Sequence, residues 1–142
     1  MDRYEKSRLI GHMIKRAQHT IRLAMDEALR PLGLTTPQFV AMCNLAEFSG
    51  ISNADLARKC FVTPQTMNVI IGALEKGGYL ALASHETHGR IQRISLTTAG
   101  EALLARADEL ILEVEKRIFK VFTLEELRQL TRLMEKFPII DD

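Results

Sequence analysis

The sequence predicts a mostly α-helical fold with one small β-hairpin, and three observations support this prediction. Apolar residues recur at intervals of three and four over four segments, which is the period of an α-helix. Residues 91–96 instead alternate apolar and polar side chains, as a half-buried strand does. Capping signals, in which Ser or Thr precedes a proline or stands three residues before an acid, mark the start of several helices. We therefore expect helices at both ends of the chain and a hairpin between them.

The composition is that of an ordinary globular protein, with 46% hydrophobic and 26% charged residues. Its 142 residues are enough for one domain with a sizeable core. No apolar run approaches the roughly 18 residues that span a bilayer, and the first residues lack the uninterrupted apolar core of a signal peptide. We therefore expect a cytoplasmic protein with no membrane partner. The net charge of only +1 does not by itself indicate nucleic acid.

The first predicted helix covers about residues 4–32 and has one long apolar stripe. The stripe consists of residues at alternating steps of three and four: Ile10, Ile14, Ala17, Ile21, Ala24 and Ala28. Pro31 and Gly33 end the helix, because proline disfavours the helical conformation of its predecessor and glycine accepts the C-terminal turn. Such a stripe fits packing against a second copy of the chain or within its own domain, and this helix alone leaves both open.

The second predicted helix begins with Thr36 as its N-cap and Pro37 in the first helical position. Residues 37–48 are apolar nearly all round, so we expect this helix to be buried centrally. A short helix capped by Ser52 follows, with Asp55 completing an arrangement similar to a capping box.

The helix at residues 63–76 has two contrasting faces. Thr63 and Pro64 begin it, and four residues form a buried stripe: Met67, Ile70, Ile71 and Leu74. The opposite face is poor in charge and rich in small or amide side chains: Gln65, Thr66, Asn68, Val69, Gly72, Ala73 and Lys76. An ordinary surface helix would carry Glu and Lys there. Gly72 destabilises the helix by about 1 kcal/mol relative to alanine. Close approach of a partner to this face is one reason why a glycine would occur there.

Gly77 and Gly78 end that helix, and residues 79–82 and 91–96 read as two strands joined by a polar loop. Two consecutive helices followed by a hairpin make a winged helix-turn-helix. The helix after the hairpin begins near residue 98 and has a stripe of its own: Leu103, Ala107, Leu110, Val114, Ile118 and Val121. Thr123 and Glu126 form a capping box that opens a last helix with a third stripe: Leu127, Leu130, Leu133, Met134 and Phe137. We therefore expect residues 35–98 to form a winged helix-turn-helix DNA-binding domain, flanked by dimerisation helices in 1–34 and 99–142.

Four segments resemble the MarR family of bacterial transcriptional regulators: GLTTPQF (33–39), ADLARK (54–59), TPQTMNVIIGALEKGGYL (63–80) and RISLTTAGEALL (93–104). The resemblance implies a homodimeric winged helix that binds a pseudo-palindromic operator in double-stranded DNA, usually as a repressor. It also implies that a small molecule or oxidation changes the affinity for DNA.

The resemblance makes the helix at 63–77 the recognition helix and Arg90 the tip of the wing. The DNA-binding residues predicted on this basis are Ser52, Asn53, Thr63, Pro64, Gln65, Thr66, Asn68, Val69, Gly72, Lys76, Arg90 and Arg93. Val69 and His88 depart from the family pattern, which has arginine and aspartate there. Gln and Asn side chains can pair with adenine, valine can contact a thymine methyl, and arginine favours narrow A·T minor grooves. We therefore expect an A·T-rich operator.

The resemblance also places an effector between the dimer helices and the DNA-binding domain. The candidate ligand-binding residues combine cations with apolar side chains: His12, Met13, Arg16, His19, Arg22, Phe39, Met42 and Cys43. Such a lining would suit a small aromatic or anionic effector. The same residues are also compatible with a plain core and helix surface.

Other functions remain as alternatives. No nucleophile–base pair, carboxylate pair or phosphate-binding loop emerges, so we expect neither an enzyme nor a cofactor. His85 and His88 are three residues apart in a loop, which does not fit a zinc helix, so we expect no metal site. A winged helix that binds protein instead of DNA stays open.

A cysteine-based redox-responsive regulator stays open as well. Cys43 and Cys60 are expected to act as buried apolar residues, although Cys60 follows Arg58 and Lys59, which would favour a thiolate.

Overall fold

The structure is a computed structural model that describes residues 2–84 and 92–138. Over these ranges it has six α-helices and a two-stranded antiparallel sheet, in the predicted order. The elements are α1 (Arg3–Leu29), a 3-10 turn (Arg30–Leu32), α2 (Thr36–Glu47), α3 (Asn53–Lys59), α4 (Pro64–Lys76), β1 (Leu80–Ser84), β2 (Gln92–Leu96), α5 (Thr98–Phe119) and α6 (Leu124–Met134). None of the helices in the described part of the chain has the length and apolar character needed to cross a bilayer.

The start of α2 differs by one residue from the prediction. Its N-cap is Thr35, not Thr36, and Pro37 occupies the second helical position. The Thr35 hydroxyl accepts a hydrogen bond from the N–H of Gln38 at 3.3 Å, and the Gln38 carboxamide oxygen accepts one from the N–H of Thr35 at 3.0 Å. This reciprocal pair is a capping box. It satisfies two backbone donors and leaves the Thr36 side chain available for another partner.

Helix α2 lies at the centre of the fold, as its apolar character predicts. It packs against α1, α3, α4, α5 and β2. Its buried side chains join the one described core, together with residues from every neighbouring element: Leu29, Phe39, Met42, Leu45, Leu56, Met67, Leu74, Ile94, Leu104 and Ala107. The helix-turn-helix is therefore built directly on α2.

The hairpin starts one residue later than predicted, at Leu80, and β1 continues to Ser84. Leu80 pairs with Leu96 and Leu82 with Ile94 across the sheet. Ile94 is buried and also forms a bridge with Ile51, which connects the hairpin to the segment before α3. The predicted loop residues His85, His88 and Arg90 lie outside the described residues.

The buried face of α5 is broader than the predicted stripe. Leu103, Ala107 and Val114 are buried as expected, but Leu104 and Ile111 are buried as well. The reason is that α5 packs against both α1 and α2, so two adjacent faces are covered. Of the other predicted positions, Leu110 and Ile118 are only half-buried, and Val121 lies beyond the end of the helix and is 73% exposed.

Many large apolar side chains near both ends of the described residues are exposed to solvent. The exposed ones on α1 are Tyr4, Leu9, Ile10, Met13 and Leu23, and those around α6 are Val121, Phe122, Leu124, Leu130, Leu133, Met134 and Phe137. We call these two groups the terminal apolar surface. Monomeric soluble proteins rarely expose large contiguous apolar areas.

Candidate nucleic-acid interface

Helix α4 is held with one face inward and one face to solvent. The Thr63 hydroxyl caps it by accepting from the N–H of Thr66 at 3.2 Å, and Pro64 stands in the first turn, as predicted. All four residues of the predicted stripe are buried, Met67 completely. Gln65, Thr66 and Asn68 are exposed, and Val69 is 74% exposed. The outward face therefore presents amide, hydroxyl and methyl groups to solvent.

Gly72 and Lys76 continue this outward face. A Cβ atom added to Gly72 would meet no atom within 4 Å, so the glycine is not required by packing inside the chain. Lys76 is exposed in the last turn and adds a positive charge. The open space above Gly72 and the positive charge of Lys76 at the C-terminal end of α4 are both compatible with the approach of a polyanion.

Helix α3 packs against α4 and connects to it through a tight turn. Ser52 caps α3 by accepting from the N–H of Asp55 at 3.2 Å. The turn contains Phe61, whose φ of 56° lies in the left-handed region and whose side chain is 94% exposed. A positive φ is uncommon for a bulky residue, and here it reverses the chain direction between the two helices.

A side-chain hydrogen bond joins the two helices at the outward face. Asn53, the first residue of α3, donates from its Nδ2 to the Oδ1 of Asn68 on α4. Asn53 is half-buried, while Asn68 is exposed. The two asparagines that are predicted to bind DNA are therefore connected directly by their side chains.

The hairpin contributes Arg93, which is exposed on β2 opposite Ala83. Arg90, the predicted wing-tip residue, lies outside the described residues. Among the described residues, no group of three or more His, Cys, Asp and Glu side chains could hold a metal ion.

A cleft of about 870 Å³ separates the end of α1 and the start of α2 from α4. Its lining is mixed, with cationic, polar and apolar side chains: Arg22, Asp26, Arg30, Leu34, Thr35, Pro37, Gln38, Thr66, Val69, Ile70 and Ala73. Thr66 and Val69 belong both to this cleft and to the outward face of α4. An occupant of the cleft would therefore contact part of the surface predicted to read DNA.

The eight residues predicted to bind a ligand are not brought together in the single chain. Only Arg22 lines the cleft. Phe39 and Met42 belong to the core, and Cys43 is half-buried beside it. Four others are exposed along α1: His12, Met13, Arg16 and His19. The reason is the length of α1, because a rise of about 1.5 Å per residue puts His12 roughly 21 Å along the axis from Asp26.

Asp26, which the sequence did not single out, organises one wall of the cleft. Its Oδ1 accepts from the Thr36 hydroxyl at 2.5 Å and from the Thr36 backbone N–H at 3.2 Å. The hydroxyl hydrogen bond is the largest cause that holds the pKa of Asp26 below its usual range, against the opposing effect of burial. Arg22 and Arg30 lower the pKa further by electrostatic attraction. The i,i+4 spacing of Arg22, Asp26 and Arg30 on one helix face was the available signal.

The two cysteines do not resemble redox-sensing thiols. Burial raises the pKa of Cys43 to about 11, and the Asp108 carboxylate adds to the rise. Burial also raises the pKa of Cys60, although a hydrogen bond from Asn44 at 3.6 Å opposes it. A reactive thiol needs a lowered pKa, and neither Arg58 nor Lys59 is among the causes that shift the pKa of Cys60.

Comparison with known proteins identifies the family to which the chain belongs. A model described as the MarR family matches residues 32–91. The HTH-type transcriptional repressor Rv2887 of Mycobacterium tuberculosis is 35% identical over 127 residues, which cover 89% of this chain and 91% of that protein. This chain belongs to the MarR family of transcriptional regulators. The match extends well beyond the helix-turn-helix, so it includes most of the flanking helices.

Solved structures of a MarR-family relative agree with the fold. Rv2887 in complex with salicylic acid aligns with a TM-score of 0.73 and 36% identity, covering 89% of this chain and 93% of that one. Rv2887 in complex with DNA aligns with a TM-score of 0.74 and 34% identity, covering 89% and 94%. The predicted winged helix with flanking helices is thereby confirmed.

Proposed function

We propose that this MarR-family protein is a homodimeric repressor that binds operator DNA through α4 and releases it when a small aromatic anion occupies the cleft. The observation that carries the DNA-binding proposal is the outward face of α4, which is exposed, nearly uncharged and rich in amides. Four buried residues on the opposite side of α4 hold the helix against the core. The DNA complex of Rv2887 supports this proposal.

The chemistry of the face suggests how it reads bases. Gln65 and Asn68 carry amides that can pair with adenine, and Val69 carries methyl groups that can contact thymine. Ser52 and Asn53 at the start of α3, with Arg93 on β2, are proposed to contact the backbone on either side. Arg90 is proposed to enter the adjacent minor groove. The operator is therefore expected to be A·T-rich, with half-site centres about 10 bp apart or a multiple of that.

Selection of binding sites from random DNA, followed by affinity measurements on the selected operator, tests this function. Gln65→Ala should lower affinity for the operator by about 1–3 kcal/mol and relax one base position. Lys76→Ala should weaken binding to all sequences and reduce the salt slope by about 1. The control Gln129→Ala makes the same chemical change on α6 and should have no effect. Failure to bind any DNA at low salt would refute the function and favour a protein-binding winged helix.

The dimer is proposed from the terminal apolar surface. This surface lies entirely within residues 1–34 and 99–142, and a second copy related by twofold symmetry could cover it. A twofold dimer would also present two copies of α4, which a pseudo-palindromic operator requires.

The effector proposal depends on the cleft. Arg22 and Arg30 supply cations, and Leu34, Val69 and Ile70 supply apolar contacts, a combination that suits an aromatic carboxylate. The salicylic acid complex of Rv2887 supports that ligand class. Because Thr66 and Val69 lie in the cleft, an occupant would alter the DNA-reading face directly.

Thermal shift and DNA release with salicylate test the effector proposal. Salicylate should raise the melting temperature of the wild type and release operator DNA, whereas Arg30→Gln should require more salicylate for both effects. Arg58→Gln, outside the cleft, is the matched control. No shift at millimolar salicylate would refute this ligand class without affecting the DNA-binding proposal.

We further infer that the protein acts without enzymatic activity and in the cytoplasm, where bacterial DNA is located. Family membership supports both inferences.

A further inference from the structure

The hydrogen bond between Asn53 and Asn68 connects a half-buried residue with an exposed one. Asn53 Nδ2 donates to Asn68 Oδ1. The Asn53 Oδ1 is itself buried and has no hydrogen-bond partner, which makes it an exception among the described side chains. The two residues line a small cleft of about 320 Å³ between α3, α4 and the hairpin. Asn53 is therefore more restricted than an ordinary surface asparagine.

In this contact Asn68 accepts through its Oδ1, which favours one orientation of its amide. The terminal torsion of asparagine is broad, so a free amide would present its oxygen or its nitrogen. With one lone pair of Oδ1 occupied by Asn53, the Nδ2 group and the second lone pair of Oδ1 remain available. These are the two groups that pair with adenine, where Nδ2 donates to N7 and Oδ1 accepts from the N6 amino group.

We propose that Asn53 is a positioning residue that fixes the Asn68 amide before DNA binds, and thereby sets the preference for adenine at one position of each half-site. The proposal rests on the proposed DNA-binding function. Ordering the amide in the free protein removes an entropic cost from binding. It also disfavours bases that would need the flipped amide.

The alternative is that Asn53 only supports the junction of α3 and α4. A double-mutant cycle separates the two roles. Asn53→Ala should reduce the ratio of affinities for adenine and for other bases at the Asn68 position by about three- to tenfold, the range expected for one hydrogen bond. In the Asn68→Ala background, Asn53→Ala should leave the ratio unchanged. A merely structural role would lower affinity equally in both backgrounds.

Asn53→Asp provides a second test. A carboxylate can only accept, so it should bind Asn68 Nδ2 and turn the amide oxygen outward. The preference for adenine over cytosine should then collapse, because both bases offer an amino donor to an outward oxygen. The added charge also repels phosphates at every sequence, so the affinity ratio is the readout. The added carboxylate lies in the first turn of α3, where a negative charge favours folding.

Wild-type binding to the selected operator is measured first, which separates the two proposals. If the wild type binds selectively but both variants keep its adenine preference, Asn53 does not position Asn68 and the inference is overturned, while the DNA-binding function stands. An equal effect of Asn53→Ala on the adenine affinity ratio in both backgrounds would also overturn it. If the wild type shows no selective binding, the proposed function itself fails.

Discussion

Asp26 and Thr36 join the end of α1 to the start of α2 through two hydrogen bonds to one carboxylate oxygen, at 2.5 Å from the hydroxyl and 3.2 Å from the backbone N–H. Thr36 is buried, with 9% of its surface exposed. The contact connects the first helix to the helix that supports the DNA-binding domain. Asp26 also lines the cleft.

Asp26→Asn should reduce the free energy of unfolding at pH 7 by about 1–2 kcal/mol, because a charged acceptor is lost. The folded-state pKa of Asp26 lies below its usual value of 3.8. Its stabilisation is therefore complete above that value and is lost as pH falls through the folded-state pKa. Urea unfolding at pH 7 and pH 3 should show a smaller difference between variant and wild type at pH 3. Glu27→Gln removes an adjacent exposed charge as a control, and an equal difference at both pH values would contradict the assignment.

Gly72→Ala should have opposite effects on the stability of the protein and on its DNA binding. With nothing within 4 Å of the added Cβ, alanine should raise the free energy of unfolding by about 1 kcal/mol through helix propensity. If the DNA backbone approaches closely, the same change should weaken operator binding. Thermal denaturation and operator titration measure the two effects, and unchanged affinity would show that no partner needs the glycine.

Gly100→Ala should have the opposite effect on stability. The added Cβ would lie 2.2 Å from the Tyr79 carbonyl oxygen, so α5 or the start of the hairpin must move. We expect a loss of about 1–3 kcal/mol, measured by the same denaturation. A neutral result would mean that the packing of α5 on the hairpin is looser than the structure shows.

Cys43 should react slowly with thiol reagents in the folded protein. A pKa of about 11, against an ordinary value of 9.0, lowers the thiolate fraction at pH 7 by about 100-fold. Iodoacetamide labelling of a Cys60→Ser variant, compared with the same protein in denaturant, measures this difference. Operator binding should also resist mild peroxide. Rapid labelling, or release of DNA by peroxide, would favour the redox-responsive alternative.

Leu133→Asp should dissociate the dimer. Leu133 is 51% exposed in the single chain and belongs to the terminal apolar surface, so a carboxylate there would be buried without a partner. Arg132→Asp places the same group at the neighbouring exposed position of α6, about 100° around the helix axis, and is the control. Sedimentation should show monomers for the first variant and dimers for the second, with operator binding lost only in the first. Monomeric wild type would refute the dimer.

Local sequence signals determined the order and type of the elements. The cap at Thr63, the stripe from Met67 to Leu74 and the stop at Gly77 are contained in consecutive residues, so they can be recognised before any tertiary contact is known. The one-residue shift from Thr36 to Thr35 shows the limit of such signals, because adjacent threonines both precede Pro37. The choice followed from Gln38 completing a capping box and from Asp26 engaging Thr36.

One part of the candidate site could be predicted from the sequence and another part could not. The outward face of α4 follows from the 3.6-residue period of its apolar stripe, and it is exposed in the structure. The eight predicted ligand-binding residues are not brought together in the single chain, because helix periodicity says which face is apolar but not how far along α1 the second helix crosses. That crossing point depends on contacts such as that between Asp26 and Thr36.

The winged helix-turn-helix between long amphipathic helices can be recognised in the sequence, because caps, breakers and periodicity act through near neighbours. The contact of Asn53 with Asn68, the position of Asp26 at the cleft and the burial of α5 on two sides depend on the tertiary structure. These features join residues distant in sequence, and their positions depend on the packing of the whole core.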